Sequence, residues 1–152
     1  MRRDNPIKHF IIAFCVAVAI YTVAYAWIEH RRHRKGPWQV TFGADANGIP
    51  QMIINQPKLG LTNFPITFAS EKLSLSSRPA ERIIFDKPRP VPFEVPYGKC
   101  IFADLTFLPG TVTFSNVFGH EIELMPRVLI IDYKERPWTA GPVEIEPAPA
   151  RR

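Results

Sequence analysis

Residues 99–134 read KCIFADLTFLPGTVTFSNVFGHEIELMPRVLIIDYK, and their alternation decides the fold class. Ile101, Ala103, Leu105 and Phe107 fall on one side of a strand, with Phe102, Asp104 and Thr106 on the other. Leu108-Pro109-Gly110-Thr111 turns the chain, and Val112 with Phe114 leads the next strand. Gly119 allows a second turn, after which Ile122 and Leu124 alternate with Glu121 and Glu123. Arg127 to Tyr133, with its apolar centre, reads as a strand buried on both faces. Period-2 patterning broken by turn residues predicts a meander of three or four antiparallel strands.

Working back towards the N-terminus, Trp38, Val40 and Phe42 share one face of a further strand, with Gln39 and Thr41 opposite. Asp45-Ala46-Asn47-Gly48 is a turn whose last two residues tolerate positive φ, so Gln51–Asn55 is expected to return as the hairpin partner. Ile66–Ala69, Leu73–Leu75 and Arg82–Phe85 are shorter strand candidates. Residues 87–97, KPRPVPFEVPY, carry four prolines that withhold backbone donors, which predicts an extended crossover. Their spacing contains no PxxP, so a ligand for an aromatic groove is not indicated. No stretch after Pro37 keeps a helical period for three turns, and the chain's sixteen prolines would interrupt most attempts. The sum is a small, mainly β domain, an antiparallel sandwich or barrel, at residues 37–138. A Pro/Ala-rich tail at 139–152 follows, in which Trp138 just before it and Val143–Ile145 are the segments expected to hold to the fold.

The N-terminal part is of another kind. Phe10 to Ile28, FIIAFCVAVAIYTVAYAWI, carries no charge, and as a helix it measures about 28 Å against a hydrocarbon core of about 30 Å. It predicts a single transmembrane helix between a basic flank at 1–9 and a basic juxtamembrane linker at 29–36. Ala24-Tyr25-Ala26 also matches a signal-peptidase site. Against cleavage stand a long apolar stretch, aromatic residues where a polar segment should precede the cut, and the basic run that would follow it. Tyr21, Tyr25 and Trp27 fit an interfacial aromatic belt. The basic flanks are nearly balanced, so the short basic N-terminus decides the expected orientation, an uncleaved signal-anchor with the domain on the exported side. Ala13 and Ala17 form a small-xxx-small pair, which leaves a homo-oligomer open without requiring one.

Charge follows the same division. The chain as a whole carries +5, yet residues 1–35 alone carry +5, residues 36–150 carry −2, and Arg151 with Arg152 supply the remainder. A nucleic-acid-binding domain concentrates cations on its folded part, so this class is not expected here, whereas cations beside a span suit anionic headgroups. Cys15 lies in the apolar run and Cys100 in the domain, so they are not disulfide partners, and Cys100 reads as a small buried apolar residue.

Catalytic signatures are missing. There is no G-x-G, no glycine-lysine phosphate loop and no G-x-S-x-G elbow. His120 is the domain's one histidine; on a strand it shares a face with Ile122 and Leu124, while Glu121 and Glu123 share the other. The two glutamates, with Asp132 on a neighbouring strand, form the strongest candidate for a cation or acid–base site. Charged residues on an outward strand face also keep a sheet soluble and blunt its edge, and this simpler role is the expected one. His30 and His33 lie i, i+3 among basic neighbours that disfavour a cation. The function expected is therefore a membrane-tethered, non-enzymatic β-domain acting as an envelope interaction or assembly subunit, with no cofactor. Its partners are the bilayer, through residues 10–28, and a further protein. The alternative is a small anchored enzyme or ligand-binding module using Asp104, His120, Glu121 or Asp132.

If the helix is retained, N-terminal sequencing of the protein from a membrane fraction reads from Met1 or Arg2. A soluble product starting at Trp27 overturns the anchor.

Overall fold

A computed structural model describes residues 6–73, 79–106 and 108–147. Among the described residues, helix α1 (Pro6–Lys35) is followed by eleven strands: β1 (Gln39–Ala44), β2 (Pro50–Gln56), β3 (Leu61–Phe68), β4 (Glu81–Ile84), β5 (Phe93–Val95), β6 (Gly98–Asp104), β7 (Thr111–Val117), β8 (His120–Leu124), β9 (Val128–Ile131), β10 (Lys134–Pro137) and β11 (Val143–Ile145). Pro6–His30 is long and apolar enough to cross a membrane, and none of it is buried against the rest of the chain. The basic segment 29–36, expected as a linker, continues the helix to Lys35. Nothing in it breaks a helix until Gly36, whose φ of 69° ends the turn, and Pro37, which cannot extend it.

The strands form two sheets packed face to face as a β-sandwich. The first has the order β11-β3-β2-β1-β4, the second the order β10-β9-β8-β7-β6-β5. The second is a meander of six consecutive strands, longer than the three or four expected, because the pairing extends to β5 at one end and β10 at the other. All pairs are antiparallel except β11 with β3. That parallel strand lies beyond the boundary drawn at residue 138, so the sandwich continues through Ile145.

The β1–β2 hairpin forms as expected, with Val40 opposite Ile54 and Phe42 opposite Met52. Asp45 closes its turn by accepting hydrogen bonds from the Asn47 and Ile49 amides, each at 2.8 Å, and Gly48 takes a φ of 78°. Ile66–Phe68 of the expected segment falls in the longer β3 and Arg82–Ile84 in β4, with Ala69 and Phe85 just past their ends. Leu73 is not in a strand, and Leu75 lies outside the described residues, as does Phe107. The crossover expected at 87–97 ends in an edge strand, β5, flanked by Pro92 and Pro96.

Trp38, Val40, Phe42, Met52, Ile54, Ile66 and Phe68 of the first sheet meet Cys100, Val112, Phe114, Ile122, Leu124 and Leu129 of the second, all nearly inaccessible. Phe114 sits edge-on to Phe42 and Phe85, with ring centroids 5.9 and 5.8 Å apart. Leu105 is buried and Ala103 half-buried, as the alternation requires, but Ile101 is 40% exposed. The register between β6 and β7 slips between Cys100 and Phe102. Ile101 is the extra residue of that bulge, so Cys100 takes the inward position. β9 likewise departs from expectation: Leu129 and Ile131 are buried while Val128 and Ile130 are only half-buried, because the second sheet has one face on the core and one towards solvent.

Removing the Phe114 ring leaves a cavity between the sheets, so Phe114→Ala is expected to cost about 3–5 kcal/mol. Ile101→Ala, at the exposed bulge, should cost under about 1 kcal/mol. Urea melts of the protein in mild detergent separate the two.

Candidate functional site

Two adjacent tight turns assemble the groups singled out in the sequence. β7 and β8 are joined through Phe118 and Gly119, and β9 and β10 through Asp132 and Tyr133, all four with positive φ. Such two-residue hairpin loops match the twist of the strands they join. They bring Asp132 against the start of β8, where the Asp132 amide donates to the Glu121 carbonyl at 3.0 Å.

The Asp132 carboxylate is used on both oxygens. Oδ1 accepts the Glu121 amide at 3.0 Å, and Oδ2 lies 2.7 Å from His120 Nδ1. The His120 side chain is 6% exposed, beside the Phe68 ring, while that of Asp132 is 43% exposed. Burial works against ionisation of Asp132. The hydrogen bonds from His120 and the Glu121 amide, with the charges of His120 and Lys134, together outweigh it and hold the carboxyl below the usual aspartate range. Next to this pair, Tyr133 donates its phenol to Glu121 Oε2 at 3.0 Å.

His120 thus shares the inward face with Ile122 and Leu124, and the glutamates point the other way, as the strand period implies. Asp104 is not part of the group. It pairs with Thr111 at the start of β7, whereas His120 pairs with Val117 at the end of that strand. Six residues at about 3.4 Å each put them about 20 Å apart along the sheet. Asp104 is exposed and accepts the Thr106 amide at 2.9 Å; hydrogen bonds from the Thr106 backbone and side chain lower its pKa. Glu123 lies on the outward face between Thr113 and Ile130, away from His120.

The chemistry this arrangement supports is limited. A carboxylate that orients an imidazole is two parts of a nucleophilic site, but no serine, threonine or cysteine is hydrogen-bonded to His120 among the described residues. No group of three or more His, Cys, Asp or Glu side chains stands close enough to hold a metal among those residues. Cys100 has its thiol pushed up to about 11 by burial, against smaller opposing effects of the Phe102 carbonyl and Arg89, so it is a poor nucleophile. What the carboxylate does achieve is structural: it fastens the β9–β10 turn to the first residues of β8.

The same end of the sandwich holds a cleft of about 390 Å³ that sequence reasoning did not find, lined mainly by Phe42, Ala44, Leu73, Pro79, Pro96 and Tyr97. Glu81 is the one ionisable carboxylate among its lining residues. Tyr97 lies edge-on to Phe42 and its phenol donates to the Gly43 carbonyl, so its polar atom is already engaged, and burial raises its pKa. The lining residues come from four separate segments, which only the packing of the two sheets brings together.

No family model, no characterised protein and no solved structure matches this chain.

Asp132 has a lowered carboxyl pKa in the folded protein, so its contribution is present above the unfolded value of about 3.9 and is lost as pH falls through the folded one. Asp132→Asn should therefore lower Tm at neutral pH, with the gap to wild type closing below about pH 4. A gap that stays constant from pH 7 to pH 3 shows that the carboxylate charge plays no part.

Proposed function

We propose that this chain is a non-enzymatic β-sandwich, tethered to a membrane by α1 as an uncleaved single-pass anchor, which presents a face to a protein partner as an assembly or accessory subunit. One observation supports it above the others. The β6 bulge turns Ile101 towards solvent beside the outward-facing Phe102, so two adjacent large apolar side chains are 40% and 49% exposed. A bulge that re-aims side chains is a feature of working surfaces, and clustered exposed apolar groups favour association.

The rest of the sandwich perimeter is guarded against unspecific pairing. At one edge of the second sheet, β10 consists of Lys134, Glu135, Arg136 and Pro137, all exposed. At one edge of the first, β11 is three residues long. Charge, proline and short length all discourage strand addition. Apart from Tyr133 in the β9–β10 turn, whose phenol bonds Glu121, the large apolar side chains exposed on the sandwich among the described residues are at the opposite side, where Ile84 of β4 and Val91 before β5 join Ile101 and Phe102. Export of the domain rests on the short basic N-terminus preceding the apolar run.

Phe102→Lys tests this in the full-length protein. The position is exposed, so folding stability should stay within about 0.5 kcal/mol of wild type. A stoichiometric component recovered with wild type from detergent-solubilised membranes, another protein or a second copy of this chain, should be lost with the variant. Equal recovery by both proteins overturns the reading.

A further inference from the structure

The junction between α1 and the sandwich is unusually short and is pinned. α1 ends at Lys35 and the fully buried Trp38 already belongs to the core, which leaves Gly36 and Pro37 as the non-helical connection. Gln56, at the end of β2, is fully buried as well. Its Nε2 donates to the Gly36 and Pro37 carbonyls at 3.1 and 3.0 Å, and its Oε1 accepts the Lys58 amide at 3.1 Å. One buried amide therefore ties the helix exit to the 3-10 turn Pro57–Leu59. All the hydrogen-bonding capacity used there is internal, so the connection is a fixed stem and not a free hinge.

The lengths place this end of the sandwich at the membrane surface. The span reaches His30, and five further helical residues rise at most about 7.5 Å. Half the difference between the hydrocarbon core and the whole bilayer is about 5–7.5 Å, so Lys35 lies near the outer limit of the headgroups. Two extended residues add about 7 Å at most. β2 runs antiparallel to β1, so the Pro57–Leu59 turn projects back past the start of β1, and it lies against α1. Lys58 is exposed and Leu59 half-buried there. Arg127, in the β8–β9 turn, is at the same end, because Trp138 donates to the Met125 carbonyl and packs against Trp38. Asp86 and Lys87, which follow β4, and Asp104, which ends β6, lie at this end too, and the basic end of α1 adds Arg31, Arg32, Arg34 and Lys35. Asp45, Glu71, Glu81, Glu121 and Asp132 gather at the far end, with Lys72 and Lys134 among them.

From this we infer that the helix-side end of the sandwich, centred on Lys58 and Leu59, docks on the anionic headgroups of the same membrane that α1 crosses. The inference rests on α1 being retained as a span. Attraction of basic groups to anionic lipid supplies the contact, and the Gln56 clamp fixes which end meets it.

The test uses full-length protein carrying Cys15→Ala, since the buried Cys100 does not react. Single cysteines replace the exposed Thr62 at the start of β3, which leaves Lys58 in place, or the exposed Ala46 of the far β1–β2 turn; each is labelled with a fluorophore, and the protein is reconstituted in phosphatidylcholine vesicles with phosphatidylglycerol and a headgroup-located nitroxide lipid. Thermal melts confirm that both variants fold. Quenching at position 62 should exceed that at 46 at least threefold, and six Gly-Ser residues inserted between Gly36 and Pro37 should bring the ratio close to one. Protein that does not float with the vesicles overturns the anchor and this inference with it. Protein that floats but is quenched equally at the two positions overturns the inference alone, and a ratio unchanged by the insertion overturns the role given to the short stem.

Discussion

The indole of Trp38 is the contact on which the rest of the molecule depends. Its Nε1–H donates to the Gly110 carbonyl at 2.6 Å, and its ring packs 5.5 Å from that of Trp138. One side chain thus joins β1 of the first sheet, the β6–β7 turn of the second and the segment that leads into β11. A buried aromatic of this size removes about 150–250 Å² from water, which at about 25 cal/mol per Å² is about 4–6 kcal/mol as an upper bound. That is comparable to the whole net stability of a small domain. Gly110 is required beneath it, since a Cβ there would stand 1.5 Å from the Asp104 carbonyl oxygen.

Because Trp38 follows the helix exit so closely, the core begins almost where the apolar helix ends. The course of that helix and the packing of the core are in this way mechanically linked. A tethered domain on a long flexible linker can present any face, whereas one held by Gln56 and Trp38 keeps a defined near side and far side. The exposed Ile101 and Phe102 lie on the outer face of the second sheet, away from the core that Trp38 closes.

Buried polar groups in this sandwich serve geometry more than chemistry. Gln56, His120 and Thr113 are the polar residues buried among the described ones, and Gln56 and His120 each hold a connection in place. Gln56 holds the helix exit, while His120 shares Asp132 with a backbone amide to hold a hairpin turn. Leaving either side chain without its partners inside an apolar core would cost more than the bond gains, which makes these positions sensitive ones.

Sequence alone determined the class of the fold and the apolar helix. Both follow from local periodicity: nineteen uncharged residues need no partner to be read as a span-length helix, and alternation in 38–42 and 120–124 assigns each side chain to a face through the two-residue repeat of a strand. It also placed His120 on one face with Ile122 and Leu124, for the same reason, and the packing of the sheets turned that face inward. Tertiary structure alone decided the rest. Ile101 turned outward because a bulge, which depends on pairing with β7, shifted the parity that a regular strand would have kept. Asp132 met His120, and Asp104 did not, because strand order and hairpin register set those distances and neither is written in the spacing of the residues. Gln56 had no signal at all in the sequence. Its role exists only because β2 ends where the helix exits, and hydrogen bonds over twenty residues of chain are a property of the packed fold, not of the segment that carries them.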